Sequence, residues 1–575
     1  MPKLSASEVA ALLREFGRRI AFDSANPYRA RAYAKAADNL ERLGVPLATI
    51  IRRGRLREIP AVGEAIAGVV ATLYQTGTHP TLEALREDIP DSVLGMAEIP
   101  ELKPGTILKL HREFGISSVD ALEEAAAHGD LAIIEGIGPS LQTKIVQGIE
   151  SRRQANALYI DQAEELLDIA LQSFEEAHAY AEQIVPAGDF RRGCELVSDL
   201  CLVAELPRLK QGSGISNSQG RAQIFLTDRK HFGASLLYAT GSEAHFNTLV
   251  DLAATKGLSL DRRGLHKAGK SIASQTEADI YQALGLPYIE PELREGDREI
   301  ELALNNKLPE LVTDDDLRGI LHAHTHSSDG AHSLEQMAEA VRRRGYSYFG
   351  VSDHSRSAHY ARGLSIETIE RQHEEIDRLN AAYNGGFRIF KGIESDILPD
   401  GSLDYPDEIL AHFDFVVASV HSRFQLDEDA QTARMMKAVA NPYTTILGHM
   451  TGRQLLRRPG YGIDIEKILR ACAKHGVAVE INSNPLRLDL DWRWHARALA
   501  LGCRFSIDPD AHSASEIAFA HWGVEMARKG GVSKDSVINC LDSAQFSALL
   551  EERKVRKPRT QAHRKQRTQM RNSGR

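Results

Sequence analysis

The chain has few cysteines and no long apolar run. Its five cysteines are Cys194, Cys201, Cys472, Cys503 and Cys540, and no two of them form a Cys-x-x-Cys pair. Scattered cysteines argue against a disulfide framework and against a thiolate zinc site, and they favour a reducing compartment. No uninterrupted apolar run reaches the length of a membrane span, and no basic leader with an apolar core begins the sequence. We therefore expect a cytoplasmic protein without a membrane-spanning segment.

An overall positive charge is also missing. The 70 Lys and Arg residues are outnumbered by 79 Asp and Glu residues, which gives a formal net charge of −9. Any binding of nucleic acid must therefore depend on local basic features rather than on the field of the whole protein. At 575 residues, with 42% hydrophobic and 26% charged residues, the sequence predicts several ordinary globular domains.

The clearest chemical signal is the stretch RGILHAHTHSSDG, residues 318–330. Ile320 and Leu321 predict a buried strand, and a strand repeats its face every two residues, so His322 and His324 should point the same way. Two imidazoles on one face can share a metal ion. A single His-x-His pair is more often a surface or core feature, so the interpretation depends on whether the signal recurs.

The signal recurs along a series of predicted strands. Short β-branched or aromatic runs alternate with amphipathic segments, which is typical of a parallel sheet or barrel, and seven runs end in polar residues. The carboxyl ends of barrel strands converge on one mouth, so these residues should meet. Imidazoles and carboxylates without thiolates favour zinc, manganese or iron, and two or three clustered ions can hydrolyse phosphoesters. The six later runs carry Asp353 with His354, Glu394, His421, His449, Glu480 with Asn482, and Asp510 with His512.

The motifs LHAHTHSSDG, SDHS, GIESDILPDGSLD, ASVHS, ILGHMTGR and DPDAHS, in this order and spacing, resemble the PHP phosphoesterase domain of bacterial family X DNA polymerases. The resemblance implies a distorted (β/α)7 barrel over residues 318–545. It also implies that His322, His324, His354, Glu394 and Asp510 act in catalysis and that Arg362 and Arg453 face substrate phosphate. Asp329 could instead only form a turn, and the arginines could be solvated. The implied metal ligands are His322, His324, Asp329, His354, Glu394, His421, His449, Asp510 and His512.

Two stretches in the first part of the chain resemble helix-hairpin-helix motifs. IPAVGEAIAGVVATL contains Gly63, and IIEGIGPSLQTKIVQGI contains Gly136, Gly138 and Lys144. Backbone N–H groups at such a turn bind a DNA phosphate without reading bases. We expect a helical DNA-binding domain over residues 1–90 and a fingers-like region over residues 91–155, as in the family X polymerases.

Residues 156–303 resemble the α+β palm and thumb of the same family, with a defective polymerase centre. IVPAGDFRRGCELVSDLCLVAEL keeps one carboxylate, Asp199, of the family's Asp-x-Asp pair, and Cys201 holds the second position. Asp189 stands where the family has a serine beside the triphosphate, and Phe225 aligns with the third carboxylate. Two-metal nucleotide addition needs several carboxylates, so we expect a polymerase-shaped module without polymerase activity.

Two segments have the composition of chain that lies outside the folded domains. Residues 304–317 contain Pro309 and three consecutive aspartates, which suit an exposed linker. Residues 546–575 are strongly basic without apolar periodicity, which predicts a disordered tail that attracts DNA or only improves solubility.

These features favour a DNA repair enzyme in which a polymerase-like scaffold holds gapped, nicked or 3′-recessed DNA and the metal barrel hydrolyses it. The family resemblance implies 3′→5′ exonuclease, abasic-site endonuclease or 3′-phosphatase activity. Three alternatives stay open: an active polymerase if the palm alignment is wrong, a small-molecule phosphatase similar to histidinol-phosphate phosphatases, and a DNA-binding protein without catalysis.

Overall fold

The structure is a computed structural model of the chain. It describes residues 4–22, 27–41, 43, 47–97, 99, 102–127, single residues and pairs between 131 and 145, and residues 157–207, 215–217 and 222–556. The chain divides into two compact units, Met1–Asn156 and Ala157–Arg575. In this described part of the chain, no helix is both long and apolar enough to cross a bilayer.

Every secondary-structure element described in the first unit is a helix. Ser5 begins α1 with a capping box, because its side chain accepts from the N–H of Glu8 and its own N–H donates to the Glu8 carboxylate. The apolar face of α1 packs on α2, where the Phe16 ring stacks on Tyr33 with 4.9 Å between centroids. The helices are α1 Ala6–Ile20, α2 Pro27–Glu41, α3 Leu47–Arg52, α4 Glu64–Thr76, α5 Pro80–Asp88, α6 Asp91–Met96, α7 Pro104–Phe114 and α8 Val119–Ala127.

The first predicted hairpin lies between α3 and α4. Ile59 and Val62 are buried, and Gly63 is the N-cap of α4. A Cβ atom on Gly63 would meet no atom within 4 Å, so the turn faces open space. The first N–H groups of α4 have no partner within the helix, and groups of this kind can bind a phosphate.

The second unit begins with the palm and thumb. A four-stranded sheet has the order β2-β4-β6-β5, with β4 and β6 parallel and the other neighbours antiparallel, and a separate sheet joins β7, β8 and β9. The strands are β1 Leu158–Tyr159, β2 Gln183–Ala187, β3 Leu196–Val197, β4 Leu200–Glu205, β5 Ile215–Asn217, β6 Ala222–Thr227, β7 Ser259–Asp261, β8 Gly264–Lys267 and β9 Lys270–Ala273. The helices are α9 Ile160–Ala177, α10 Gly188–Arg191, α11 Phe232–Thr240, α12 Glu243–Thr255, α13 Glu277–Ala283 and α14 Glu299–Leu304.

The rest of the second unit is a parallel barrel of seven strands in sequence order, which confirms the predicted barrel. The first and last strands approach at a bridge between Ala323 and Ala511, where His324 N donates to Ala511 O over 2.8 Å, so the barrel is nearly closed. Its strands are β10 Gly319–Ile320, β11 Tyr348–Val351, β12 Arg388–Asp396, β13 Phe415–Ser419, β14 Ile446–Leu447, β15 Ala478–Asn482 and β16 Phe505–Asp508. Its helices are α15 Leu334–Arg343, α16 Ile366–Tyr383, α17 Asp407–Leu410, α18 Glu428–Val439, α19 Ile465–His475, α20 His495–Ala500, α21 Ala520–Lys529 and α22 Ser543–Arg556.

The predicted start of the basic tail at residue 546 is wrong, because that residue lies inside α22. The side chains of Phe546 and Leu550 are buried. Phe546 stacks on Tyr348 at 5.3 Å and contacts the ring of Phe390 at 5.0 Å, so it joins the core of the barrel strands. Residues 557–575 of the predicted tail lie outside the described residues.

The segment 304–317 is only partly the exposed linker that we predicted. Asp314 and Asp315 are exposed, but Val312 and Leu317 on either side of them are buried. The N–H of Val312 donates to Val532 O over 3.0 Å. Packed apolar residues therefore fix this segment on the barrel.

Candidate metal centre at the barrel mouth

The nine ligands that we predicted from the sequence lie together at the carboxyl ends of the barrel strands. Glu394 is at their centre and is fully buried on β12. Its Oε1 lies 3.0 Å from His449 Nε2 and 3.2 Å from His421 Nε2, and its Oε2 lies 2.8 Å from His354 Nδ1. One carboxylate thus bridges histidines that follow three different strands.

A second carboxylate, Asp510, follows β16 and approaches the two histidines of the first motif. Its Oδ1 lies 3.0 Å from His324 Nε2 and 3.5 Å from His322 Nε2. His322 and His324, which follow β10, therefore face the same centre, as the two-residue repeat of an extended chain predicts. Asp510 has a φ of 51°, an uncommon conformation for a residue with a side chain, which is often found at functional sites.

The third carboxylate, Asp329, lies on the open side of the centre. Its oxygens are 3.4 Å from His512 Nε2, 3.6 Å from His354 Nε2 and 3.8 Å from His324 Nδ1. The side chains of Asp329 and His512 are 30% and 35% exposed, whereas those of His324 and Glu394 are fully buried. Solvent and substrate can therefore reach the centre from the side of Asp329 and His512.

The donor set fits divalent ions. Three overlapping groups each offer ligand atoms within 4.8 Å of one another. The atoms His322 Nε2 and His324 Nδ1 are buried and make no hydrogen bond to any residue that the structure describes, which is unusual for buried polar atoms and is what a metal ligand requires. The groups are His324, Asp329, His354 and His512; His322, His324 and Asp510; and His354, Glu394 and His421.

Two further carboxylates hold the histidines in orientation. Glu480 Oε1 lies 2.5 Å from His322 Nδ1, and its other oxygen accepts from the N–H of His449 at 2.6 Å. Asp396 Oδ1 lies 2.6 Å from His421 Nδ1. Such contacts fix the ring and leave the other nitrogen to face the centre. The sequence analysis gave Glu480 no separate role and missed Asp396, although Asp396 stands two residues after Glu394 and so shares its face of the strand.

Opposite charges shift the pKa values of these groups. Burial disfavours a charged imidazole, but the Glu394 and Asp396 carboxylates raise the pKa of His421 to about 10. Burial also opposes the charge of His512, and Asp329 with Asp510 raises its pKa to about 9. Burial and the neighbouring His354 ring lower the pKa of His324 to about 4. The carboxylates thus favour positive charge at His421 and His512, whereas burial disfavours it at His324.

The two arginines that we predicted to face substrate phosphate differ in their exposure and in their hydrogen bonds. Arg362 is exposed and follows the turn His359–Ala361. Arg453 does not face the metal centre freely, because its guanidinium donates to the carbonyl groups of Arg487 and Leu488 and pairs with Asp491 at 2.7 Å. Its donors hold a loop instead of remaining available for phosphate.

Arg487 on that loop is a residue that the sequence analysis missed. Its Nε lies 3.7 Å from Asp510 Oδ2, and its side chain is 21% exposed. A planar guanidinium at the rim of an anionic metal centre suits a phosphate group. Its position in the NPLRLDLD stretch, shortly after β15, could have drawn attention to it.

Of the four predicted DNA-binding residues, the structure describes three. Gly63 caps α4, and Gly138 O accepts from the N–H groups of Leu141 and Gln142 at 2.9 and 3.1 Å, as at the start of a helical turn. Lys144 is exposed. Gly136 lies outside the described residues.

The palm residues of the sequence motif lie close together at the start of β4. Asp199 Oδ1 accepts from the N–H of Asp189, and Asp189 pairs with Arg192 at 2.6 Å. Burial and the nearby Asp189 raise the pKa of Asp199 to about 7. Cys201 is buried in β4, and Phe225 on β6 packs against the ring of Tyr238. No third carboxylate joins Asp189 and Asp199 among these aligned positions.

The comparisons with known proteins agree with this architecture. Three family models match: a helix-hairpin-helix domain at residues 5–79, the DNA polymerase beta thumb at 235–295 and the PHP domain at 321–484. Probable phosphatases of Thermoanaerobacter sp. (strain X514) and Vibrio campbellii are 27% and 29% identical over 41% of this chain, and the matches cover 96% and 93% of those proteins.

A relative from Bacillus subtilis (strain 168), named DNA polymerase/3′-5′ exonuclease PolX, is 32% identical over 556 residues, which is 92% of this chain and 96% of the relative. The domains and the metal centre define a DNA-binding enzyme with a metal-dependent PHP hydrolase. The chain belongs to the PolX family, the family X DNA polymerases that carry a C-terminal PHP domain.

Proposed function

We propose that the barrel removes nucleotides or a terminal phosphate from the 3′ end of DNA, and that the palm no longer adds nucleotides. The single observation that carries this proposal is the cluster of the nine predicted ligands, eight in the three groups above and His449 beside Glu394, in the same unit as a palm that retains only Asp199 of its acidic motif. The B. subtilis relative is named as a 3′-5′ exonuclease, which supports this polarity.

The eight grouped residues, with His449 beside Glu394, would hold two or three divalent ions of manganese, zinc or iron. Ions bound there supply Lewis acidity and lower the pKa of a water molecule. The protein orients the ligands: Glu480 and Asp396 keep His322 and His421 turned toward the centre.

Arg487 and the exposed side of the centre define where the phosphate binds. Asp329 and His512 are accessible, so the scissile phosphate approaches from their side. The Arg487 guanidinium near Asp510 can then donate to a phosphate oxygen and balance its charge. Arg362, exposed on its turn, is a second contact for the DNA backbone.

The proposed loss of polymerisation follows from the palm side chains. Magnesium ions beside a nucleotide triphosphate need oxygen ligands, and Cys201 and Phe225 offer none. Asp189 places a carboxylate where the family binds triphosphate, and Arg192 is already paired with it. A triphosphate would therefore meet the negative charge of Asp189, and Arg192 is already engaged by that carboxylate.

The test uses a 5′-labelled primer on a longer template, with manganese and all four deoxynucleotides. We expect the primer to shorten from its 3′ end without extension, and a chelator should stop the reaction. The H322A/H324A double variant should bind the duplex with unchanged affinity and leave the primer intact. Extension that D199N abolishes would contradict the lost polymerase activity, and undiminished shortening by H322A/H324A would contradict the site.

A second candidate is the hydrolysis of phosphomonoesters, which the matches to probable phosphatases over the barrel favour. A primer ending in a 3′-phosphate and a small phosphomonoester separate the two substrates. If the DNA-binding part contributes, the DNA phosphate should be removed with a much lower KM. Equal KM values, corrected for the intrinsic reactivity of each ester, would favour a small-molecule phosphatase.

A further inference from the structure

The palm contacts the loop that carries Arg487. Glu195, between α10 and β3, accepts from Trp492 Nε1 at 2.9 Å and pairs with Arg493 Nη1 at 2.7 Å. Its side chain is 12% exposed. Lys529 lies over the Trp492 ring at 4.8 Å and donates to Arg192 O at 3.0 Å. Glu195 thus contacts Trp492 and Arg493 directly, and Lys529 of the barrel links Trp492 to the palm carbonyl of Arg192.

The contacts continue from this segment to the metal centre. Arg493 Nη1 lies 3.0 Å from Asp491 Oδ1, and Asp491 Oδ2 lies 2.7 Å from Arg453 Nη1. Arg453 donates from Nε to Arg487 O at 2.9 Å and from Nη2 to Leu488 O. The Arg487 side chain then reaches Asp510.

The loop needs this support. Leu488 has a φ of 43°, in the left-handed region that a residue with a branched side chain rarely adopts. Such a conformation persists only where surrounding contacts determine it, and here Arg453 binds the carbonyl groups of both Arg487 and Leu488. Arg453 in turn depends on Asp491, which is shared with Arg493.

We infer that Glu195 of the degenerate palm is a positioning residue for Arg487, so that the palm supports hydrolysis in the barrel through the pairs Glu195–Arg493, Asp491–Arg453 and the Arg487 carbonyl. This inference rests on the proposed function of Arg487. It gives the palm a role in the barrel's reaction that does not require nucleotide addition, and it involves no contact between Glu195 and substrate.

The test measures manganese-dependent hydrolysis of bis(p-nitrophenyl) phosphate, a small diester that does not need the DNA-binding surfaces. The full-length variants are E195Q, R487A and E195Q/R487A, with D228N as the control. Asp228 is a palm carboxylate, 45% exposed and paired with His231. We expect E195Q to lower kcat/KM about 5-fold and R487A to lower it by at least about 10-fold. The kcat/KM of D228N should equal that of the wild type, and all variants should bind as much metal as the wild type.

The double variant distinguishes an effect of Glu195 through Arg487 from a general effect of the substitution on the folded protein. If Glu195 acts through Arg487, E195Q should have less than about a 1.5-fold effect in the R487A background. R493M removes the other partner of the Glu195–Arg493 pair and should lower kcat/KM as much as E195Q does. If E195Q folds poorly, R493M replaces it in the double-variant comparison. Equal E195Q effects in both backgrounds, or no effect of E195Q beside an impaired R487A, would overturn the inference. Full activity of R487A would overturn the proposed role of Arg487, and the inference with it.

Discussion

Glu394 Oε1 lies 3.0 Å from His449 Nε2, although 55 residues separate the two positions in the chain. Glu394 is on β12 and His449 follows β14, with β13 between them. Parallel strands in sequence order bring the carboxyl ends of neighbouring strands to one rim, so residues distant in sequence become neighbours. This pair shows how the barrel assembles a charged centre from separate motifs.

Replacement of Glu394 by Gln should remove bound metal. The change keeps the shape but removes the negative charge that His354, His421 and His449 share as their common anionic partner. We expect fewer metal ions per chain and a fall in hydrolysis of at least about 100-fold. Mass spectrometry of the purified protein counts the metal ions. E374Q, an exposed position on α16, should retain full metal content; equal metal in E394Q and the wild type would contradict the site.

Replacement of Asp396 by Asn should weaken metal binding without removing a ligand. Asp396 contacts His421 Nδ1 at 2.6 Å, and the hydroxyl of Ser357 donates to its other oxygen at 2.7 Å. Loss of the charge leaves the His421 ring less basic and less fixed, so we expect about 10-fold to 100-fold weaker affinity for one ion. Competition with a coloured chelator measures it. D400N, at an exposed carboxylate paired with Lys437, should leave the affinity unchanged.

The sequence predicted the barrel and the meeting of its ligands because both depend on strand periodicity and on the order of the strands. His322 and His324 illustrate this, since two-residue spacing alone placed them on one face. The partners of side chains depend on tertiary contacts that no spacing shows. Arg453 shows this, because its partner Asp491 lies 38 residues away in sequence and the carbonyl groups it binds carry no sequence signal.

The boundaries failed for a related reason. Phe546 begins a segment that is followed by many basic residues, and composition averaged over the whole segment concealed its apolar face. Val312 and Leu317 flank three aspartates, whose charge suggested a solvated linker. In both segments two apolar residues are buried against the barrel, and an average composition over the whole segment does not reveal them.

Replacement of Phe546 by Ala should therefore destabilise the barrel, although it falls in the segment first read as a tail. The ring is fully buried against Tyr348, Phe390 and Phe415. We expect a loss of about 3 to 5 kcal/mol in the free energy of unfolding, from lost apolar burial and an unfilled cavity. Urea titration measures the change. E552A, exposed on the same helix, should change it by less than about 0.5 kcal/mol; a similarly small effect of F546A would show that α22 does not hold the barrel.

The thumb should lose stability in acid through Glu277. Burial alone would raise the pKa of this carboxyl group, but Arg294 and Arg191 lower it from 4.5 to about 2. The Glu277 oxygens lie 2.6 Å from Arg294 Nη1 and 2.7 Å from Arg191 Nη2. Since the folded pKa is depressed, the stabilisation is complete above about pH 4.5 and is lost as the pH falls toward about 2.

The E277Q variant isolates this contribution. At neutral pH it should unfold more easily than the wild type by about 3 kcal/mol, because the pKa shift from 4.5 to about 2 corresponds to about that free energy. The difference should shrink as the pH is lowered below about 4.5, since the wild-type carboxyl group then becomes neutral as well. Urea titrations of both proteins at a series of pH values measure it. E301Q, which breaks the exposed pair with Arg298, should show a small difference at every pH. If the difference between E277Q and the wild type were independent of pH, Glu277 would stabilise the thumb through shape rather than through its charge.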